Sequence, residues 1–364
     1  MTPRVAVVGG GYGGIVVAKL LDDAADVTLI EPRDRFIHNL AALRAVTDPD
    51  WIDRIFIPYD GLLTRGRVRR DRAVTVTPTT VQLASGEAVE ADYIVLATGS
   101  THHFPAKPEA SDSTTAQAQL RQTYQELARA DRVLLLGAGA VGLEFAGEIR
   151  TAWPDKDIML IEPSAELMAG FPEEFRSQLR AQLEEMDIKV LLGASLQEPP
   201  ATAAGQTGTF TVQTTTGVEI TADIWFACYG ATVVTDYLSP ELQAARRPDG
   251  RIEVTPQLRV VGQERVFAVG DVTAIPEMKQ AANASQHAEV VAANIRALID
   301  GRDDLISHQP QPNQIALPLG PRGGVSYGPD FGVLGAAETA EIKGGLFLDR
   351  YLELLGATVE ASQP

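Results

Sequence analysis

Two glycine-rich segments carry the clearest chemical pattern in this sequence. Each has the spacing G-x-G-x-x-G and directly follows an apolar run. The first contains Gly9, Gly11 and Gly14, and the second contains Gly137, Gly139 and Gly142. In this pattern the first glycine permits a tight turn, the second lets the backbone approach a pyrophosphate, and the third lets the next helix pack on the strand. The positive end of that helix then faces the phosphates. The spacing therefore predicts two dinucleotide sites.

An acidic residue follows each segment, at the end of the next apolar run. These residues are Glu31, which lies 22 positions after Gly9, and Glu162. A carboxylate at this place accepts hydrogen bonds from ribose hydroxyls of a dinucleotide. It also repels a 2′-phosphate, and no arginine occurs between residues 162 and 170. We therefore expect the second site to favour NADH over NADPH. The alternative interpretation of Glu162 is a solvated charge at a strand end.

The two segments belong to an internal repeat. Gly9 and Gly137 are 128 positions apart, and the pairs Glu31–Glu162 and Gly99–Gly230 are each 131 positions apart. In each copy a strand, a glycine turn, a helix and a second strand precede an alternating antiparallel meander and a further strand. Parallel strands joined through a helix need a right-handed crossover. The sequence therefore predicts an α/β fold with two Rossmann-like dinucleotide-binding domains, each with a meander, and a small C-terminal segment.

A third motif follows the second copy. The apolar run Val266–Val269 ends at Gly270 and Asp271, and a long helix is expected from about Lys279 to Leu298. A carboxylate held there, near the N-terminal glycine loop, is suited to bind the ribityl hydroxyls of a flavin.

Short motifs across nearly the whole chain resemble those of one family. They are Phe36–Asn39, Ala41–Arg44, Ala97–Thr101, Met278–Lys279, Leu317, Gly320, Gly324, Val325 and Leu346–Arg350. In these motifs the chain is similar to the AIF-like ferroptosis-suppressor flavoproteins of the pyridine nucleotide oxidoreductase superfamily. Those proteins resemble single-chain NADH:quinone dehydrogenases in turn. The chain departs from the membrane-bound members because Thr2 stands in place of the myristoylation glycine and because the terminal helix is acidic, with Asp349, Glu353 and Glu360.

The resemblance implies both a function and a domain order. Bound FAD is expected in the first site and NADH in the second, with Gly270 and Asp271 closing on FAD. Hydride would pass from NADH to flavin N5, and two electrons would then pass to a quinone-like small acceptor. The expected domains are an FAD-binding part at 1–107, an NAD(P)H-binding domain at 108–258, a second FAD-binding part at 259–310, and a C-terminal segment at 311–364 that shapes the acceptor site.

The motifs and the resemblance together nominate the site residues. Those expected to bind FAD are Gly9, Gly11, Gly13, Gly14, Glu31, Asn39, Ala97, Thr98, Gly99, Gly270, Asp271 and Lys279. Those expected to bind NAD(P)H are Gly137, Gly139, Val141, Gly142, Glu162 and Gly230.

Three residues are candidates for catalytic roles. Lys279, at the start of its helix, would stabilise negative charge on a reduced flavin. Glu144 matches the superfamily acid that orients the nicotinamide amide. His38 has the pKa range of a proton donor to a quinone oxygen. The alternatives are a solvated lysine, a partner for the helix dipole and a hydrogen-bonded loop histidine, respectively.

The composition excludes several kinds of partner and site. Lys and Arg number 31 against 48 Asp and Glu, a net charge of −17, so nucleic acid is a poor partner. The single cysteine, Cys228, excludes a disulfide, a redox pair and a cysteine-ligated cluster, and its apolar setting predicts an inert thiol. We expect no metal, because His102 and His103 lack a carboxylate cluster nearby.

The chain termini and apolar runs bear on location. No apolar run is long enough to span a bilayer, and the N-terminus does not have the pattern of a signal peptide. A cytoplasmic location is therefore expected, with peripheral membrane contact and oligomeric state left open.

Two other functions stay open. A ferredoxin or rubredoxin reductase shares both glycine loops, but it must dock a usually acidic protein, which the net charge disfavours. Its docking patch would contain Arg65, Arg67, Arg69 and Arg70. An NADH-responsive redox sensor, in which turnover is incidental, is the second alternative.

Overall fold

The computed structural model describes residues 2–357, so Glu360 of the acidic tail lies outside the described residues. The strands are β1 (Arg4–Val8), β2 (Asp26–Glu31), β3 (Arg35–Ile37), β4 (Phe56–Pro58), β5 (Arg67–Arg70), β6 (Ala73–Val76), β7 (Thr80–Leu83), β8 (Ala88–Glu90), β9 (Tyr93–Leu96), β10 (Ser100–Thr101), β11 (Arg132–Leu136), β12 (Asp157–Glu162), β13 (Ile188–Leu192), β14 (Phe210–Gln213), β15 (Glu219–Ala222), β16 (Ile224–Ala227), β17 (Thr232–Val233), β18 (Val266–Ala268), β19 (Ile315–Leu319), β20 (Gly323–Gly328) and β21 (Gly332–Leu334). The helices are α1 (Tyr12–Leu21), α2 (Ala42–Ala45), α3 (Ser113–Arg129), α4 (Ala140–Ala152), α5 (Glu173–Glu185), α6 (Pro240–Gln243), α7 (Ala281–Ile299), α8 (Ala336–Lys343) and α9 (Leu348–Leu354).

The first sheet is parallel, in the order β18-β9-β1-β2-β5. Its central strands are continuous apolar runs because helices or chain segments cover both faces. Helix α1 makes the crossover from β1 to β2 and packs against α7. Strand β18 joins this sheet from beyond the second repeat copy, so the first domain is assembled from two separated parts of the chain.

The second sheet repeats the plan, in the parallel order β13-β12-β11-β16. Helix α4 connects β11 to β12, and α5 connects β12 to β13. The two meanders are also present, as the antiparallel sheet β6-β7-β8 and the antiparallel pair β14-β15. The prediction of two Rossmann-like α/β domains is thus confirmed.

The C-terminal segment bridges both domains. Its antiparallel sheet β19-β20-β21 packs against α4 and α5 of the second domain, and Leu317 and Val325 belong to that core. Helix α9 instead packs into the first core through Leu348, Tyr351 and Leu352. The chain crosses from one core to the other at the turn between α8 and α9.

The domain boundaries stay a prediction, but the packing of the chain bears on the boundary at residue 258. Residues Tyr237, Leu242 and Ile252 fall within the expected NAD(P)H-binding range of 108–258. In the structure they pack with strands β1 and β9 of the first sheet, and the Tyr237 carbonyl accepts a hydrogen bond from the Val76 amide. The chain therefore returns to the first domain well before residue 258.

Candidate functional site

The glycine loops have the same strained geometry in both copies. Gly9 has φ +107° and Gly137 has φ +104°, a region that favours glycine. A Cβ on Gly9 would lie 2.5 Å from the Ala97 carbonyl oxygen. A Cβ on Gly14 or Gly142 would overlap the carbonyl oxygen of the first glycine of its loop. Each loop therefore tolerates only glycine at these positions.

The middle glycines leave the helix starts accessible. Gly11 precedes the first residue of α1, and Gly139 precedes the first residue of α4. Within residues 2–357, no neighbouring heavy atom comes within 4 Å of a Cβ built on either glycine. Backbone N–H groups at each helix start are thus open to an anion, which fits the pyrophosphate of a dinucleotide.

The two acidic residues are held over their loops by matching hydrogen bonds. Glu31 accepts from the Gly10 amide at 2.6 Å and from the Arg33 amide at 3.0 Å. Glu162 accepts from the Ala138 amide at 2.9 Å and from the amide of Ser164, two residues after the end of β12, at 3.0 Å. These bonds fix each carboxylate where a ribose beside the loop can reach it.

Asp271 lies against the start of strand β10. Its Oδ2 accepts a hydrogen bond from Ser100 Oγ at 2.5 Å and is 3.6 Å from Lys107 Nζ. Lys107 also donates to the Ser100 carbonyl at 2.9 Å, and burial lowers its pKa. Sequence reasoning missed Ser100 and Lys107 as site residues, although Ser100 directly follows Gly99 in one of the quoted motifs.

The nominated residues 97–99 form the junction between the domains. Thr98 Oγ1 donates to the Val234 carbonyl at 2.6 Å, and the Gly99 carbonyl accepts from the Val234 amide at 3.2 Å. Strands β10 and β17, which follow Gly99 and Gly230, pair antiparallel. The equivalent strand ends of the two repeat copies are thereby joined at the edge of the site.

Lys279 lies two residues before α7, which begins at Ala281 rather than at Lys279 itself. Its side chain turns back so that the partly buried Nζ donates to the Ile275 carbonyl at 3.0 Å, and partial desolvation lowers the pKa of the ammonium. Nearby, Asn283 Nδ2 donates to the Met278 carbonyl at 2.8 Å. Among the described residues, Asn283 Oδ1 is a buried acceptor with no partner. An N–H or O–H donor from a bound flavin fits this start of α7.

Glu144 forms an ion pair with the C-terminal segment. Lys343 Nζ lies 2.8 Å from Glu144 Oε1 and also donates to the Ala316 carbonyl at 3.1 Å. One helical turn further along α4, Glu148 pairs with Arg44 at 2.7 Å, and both side chains are buried. The nicotinamide-orienting role of Glu144 stays a prediction, and in this structure its carboxylate holds Lys343.

His38 is fully buried, with both ring nitrogens engaged. Its Nε2 donates to the Leu346 carbonyl at 2.8 Å, and its Nδ1 lies 3.3 Å from Tyr12 Oη. Burial lowers its pKa to about 4, so the ring is neutral at pH 7. Tyr12, Phe36 and Tyr351 surround it with aromatic rings. The proton-donor role of His38 stays a prediction, and in this structure its ring links β3 to the α8–α9 turn.

The binding roles of the remaining nominated residues stay predictions, and the structure gives their local conformations. Asn39 begins a 3-10 helix, Val141 lies in the first turn of α4, and Gly230 has φ +76°. A Cβ on Gly13 would be 3.0 Å from Val269 Cγ2, so Gly13 permits close packing of α1 on the strand before Gly270. Cys228 is buried, and burial raises the pKa of its thiol to about 12, as expected for an inert thiol.

Comparison with known proteins agrees with this geometry. Residues 59–288 match the family model described as pyridine nucleotide-disulphide oxidoreductase. Apoptosis-inducing factor homolog B of Dictyostelium discoideum is 31% identical, covering 97% of this chain and 96% of the relative. Ferroptosis suppressor protein 1 of Taeniopygia guttata is 32% identical, covering 80% of each chain. The solved structure of NDH2 from Plasmodium falciparum in complex with NADH has a TM-score of 0.74 at 13% identity, covering 98% of this chain and 95% of that one.

The chain therefore belongs to the pyridine nucleotide-disulphide oxidoreductase family, as an NAD(P)H-dependent flavoprotein. Within that family, its resemblance to apoptosis-inducing factor homologs and ferroptosis suppressor proteins is confirmed. None of the helices within residues 2–357 has the length and apolarity needed to cross a bilayer.

Proposed function

We propose that this protein uses bound FAD to oxidise NADH and passes two electrons to a quinone-like small acceptor. The observation that carries the proposal is the pair of matching glycine loops, each with its carboxylate held by backbone amides. Two such sites in one chain serve two dinucleotides, and a bound flavin would accept hydride at N5 when the nicotinamide ring lies against it.

The chain's own groups bind and orient the two coenzymes. Glu31 and Asp271 would hold FAD at its ribose and at its ribityl chain, while Lys279 and the start of α7 would bring positive charge to the flavin. Charged groups and dipoles that are already in position stabilise a developing anion without having to rearrange.

The preference for NADH is supported by Glu162. Its carboxylate, held by Ala138 and Ser164, would meet a 2′-phosphate with like charge. A quinone-like acceptor is supported by the resemblance to quinone-reducing flavoproteins and by the aromatic side chains around the α8–α9 turn. The cytoplasmic location stays a prediction.

The ferredoxin-reductase alternative gains little from the expected basic patch. On strand β5, Arg67 is 3.4 Å from Asp26 and Arg69 is 2.8 Å from Glu87. These carboxylates offset the positive charge that docking of an acidic protein would need. The NADH-responsive sensor is distinguished from the enzyme by negligible turnover and by an NADH-dependent change in oligomeric state.

The test is an anaerobic titration of the purified holoprotein with NADH and NADPH, followed by stopped-flow reoxidation against quinones, ferredoxin and oxygen. We expect the flavin to bleach with NADH at lower concentrations than with NADPH, and quinone to reoxidise it fastest. Faster reoxidation by ferredoxin would favour the first alternative. Negligible turnover with every acceptor, together with an NADH-dependent change in oligomeric state, would favour the second.

A further inference from the structure

A buried acid–histidine cluster lies behind the Gly270–Asp271 corner. Glu277 Oε1 is 2.6 Å from His287 Nε2, and Glu277 Oε2 is 3.0 Å from His308 Nε2. The three side chains are 1%, 1% and 4% exposed, respectively. Glu277 also accepts from the Gln311 amide at 2.8 Å. None of these groups belongs to the glycine loops or to the residues expected from the sequence.

The hydrogen bonds fix the tautomer of His287. The Gly270 amide, which can only donate, lies 3.0 Å from His287 Nδ1, so Nδ1 must be an acceptor. Burial lowers the pKa of His287, so the ring is neutral and carries its single proton on Nε2. That proton is donated to Glu277.

The same argument excludes a metal centre, although Glu277, His287 and His308 place one donor atom each within 4.8 Å of one another. A metal ligated by His287 Nε2 needs the lone pair of that atom and a proton on Nδ1. The Gly270 amide occupies the Nδ1 lone pair, so the cluster is a hydrogen-bond chain instead. It runs from Gly270 through His287 and Glu277 to the segment containing His308 and Gln311.

The hydrogen-bond chain ends at Gly270, a residue whose backbone has a positive φ. Gly270 has φ +73° and begins the short 3-10 helix Gly270–Val272 that carries Asp271. The hydrogen bond from its amide sets the orientation of the peptide that precedes it. The residue after Gly270 is Asp271, whose carboxylate faces Ser100 and Lys107 at the site.

We propose that His287 is a positioning residue for FAD: its Nδ1 fixes the Gly270 amide, and thereby aims the Asp271 carboxylate at the ribityl chain. Glu277 supports it by holding the proton on Nε2. The inference rests on FAD occupying the first glycine loop, but it does not depend on NADH preference or on the electron acceptor.

Two substitutions of His287 separate its two hydrogen bonds. In His287→Asn the amide oxygen takes the place of Nδ1, so the bond from Gly270 is kept and the bond to Glu277 is lost. In His287→Gln the amide nitrogen takes the place of Nε2, so the bond to Glu277 is kept and the acceptor for Gly270 is lost. Each variant removes one bond from the same buried position, so they form a matched pair.

The measurement is FAD affinity of the apoprotein by fluorescence titration, with the flavin midpoint potential of the reloaded protein. Because a buried donor left unpaired is costly, we expect His287→Gln to weaken FAD binding by about tenfold or more. The FAD affinity of His287→Asn should stay within about threefold of that of the unsubstituted protein, since the asparagine oxygen still accepts the hydrogen bond from Gly270. Equal losses in both variants, or none in His287→Gln, would overturn the proposal.

A third variant covers the case in which neither His287 variant folds. Glu277→Gln leaves Gly270 and His287 in place but allows its amide to donate to Nε2, which releases the fixed tautomer. We expect weaker FAD binding and a shifted midpoint potential; unchanged values would contradict the proposal. FAD affinity and midpoint potential are measured without NADH or an electron acceptor. A negative result here can therefore be distinguished from failure of the proposed reaction.

Discussion

Replacing Glu148 by leucine would leave the Arg44 guanidinium buried without its carboxylate. Arg44 donates to both Glu148 oxygens, at distances between 2.7 and 3.1 Å, and to the Gly344 carbonyl at 2.6 Å. The two side chains are only 6% and 7% exposed. Removing one partner of a buried ion pair costs about 3–5 kcal/mol, and arginine cannot avoid this by losing its proton. We therefore expect Glu148→Leu to lower the free energy of unfolding by about that amount.

The reverse substitution should cost less. In Arg44→Met the remaining Glu148 carboxyl can take up a proton, and burial already raises its pKa. Its loss of stability should therefore shrink as the pH falls, whereas that of Glu148→Leu should not. The double variant Arg44→Met/Glu148→Leu removes both charges and should recover most of the loss, because a well-packed apolar pair is often as stable as a buried ion pair.

The assay is denaturant unfolding of the FAD-loaded protein, followed by tryptophan fluorescence, at two pH values. Trp51 reports on the pair directly, since Arg44 Cζ lies 5.1 Å from its ring centroid. An exposed ion pair provides the control: Asp53 and Arg121 are 2.6 Å apart with side chains 71% and 48% exposed. Asp53→Asn should cost less than about 1 kcal/mol. A similar small loss in Glu148→Leu, or no recovery in the double variant, would refute the reasoning.

Three further outcomes are expected. Gly142→Ala should abolish bleaching by NADH while FAD is retained, because its Cβ overlaps the Gly137 carbonyl; normal NADH titration would count against the second loop. His38, with a folded pKa of about 4 against 6.5 when unfolded, should contribute stability that is present above pH 6.5 and lost towards pH 4. The loss is up to about 3 kcal/mol, and His38→Gln should flatten that slope in pH-dependent unfolding. Iodoacetamide should label Cys228 only after unfolding, as mass spectrometry would show.

The sequence was sufficient for the parts of the site that depend on local backbone geometry. Gly9, Gly14 and Glu31 act through one turn, one helix start and one strand end, so their spacing predicts their contacts. The contacts that tie the domains together lack such spacing. Glu144 and Lys343 are 199 positions apart, and Arg44 and Glu148 are 104 apart. Nothing in a helical or strand period links such pairs.

His38 shows a second limit. Its residue type suggested proton transfer, but the role depends on burial and on the Leu346 carbonyl, 308 positions away. The predicted domain boundary at residue 258 likewise depends on contacts between residues that are far apart in the sequence. The segment 237–252 has no glycine motif, and only its packing on the first sheet shows to which core it belongs.

The divergence of the two repeat copies nevertheless contains a signal for the interdomain contacts. With the offset of 128 positions that aligns Gly14 with Gly142, Glu144 corresponds to Val16 and Glu148 to Leu20. In helix α1, which packs against α7 inside the first domain, Val16 is buried in the core and Leu20 is 37% exposed. Helix α4 instead turns this face to Lys343 and Arg44, which come from the C-terminal segment and from the first domain. Carboxylates that replace aliphatic residues in one copy of a repeat thus mark the face where that copy binds the rest of the chain.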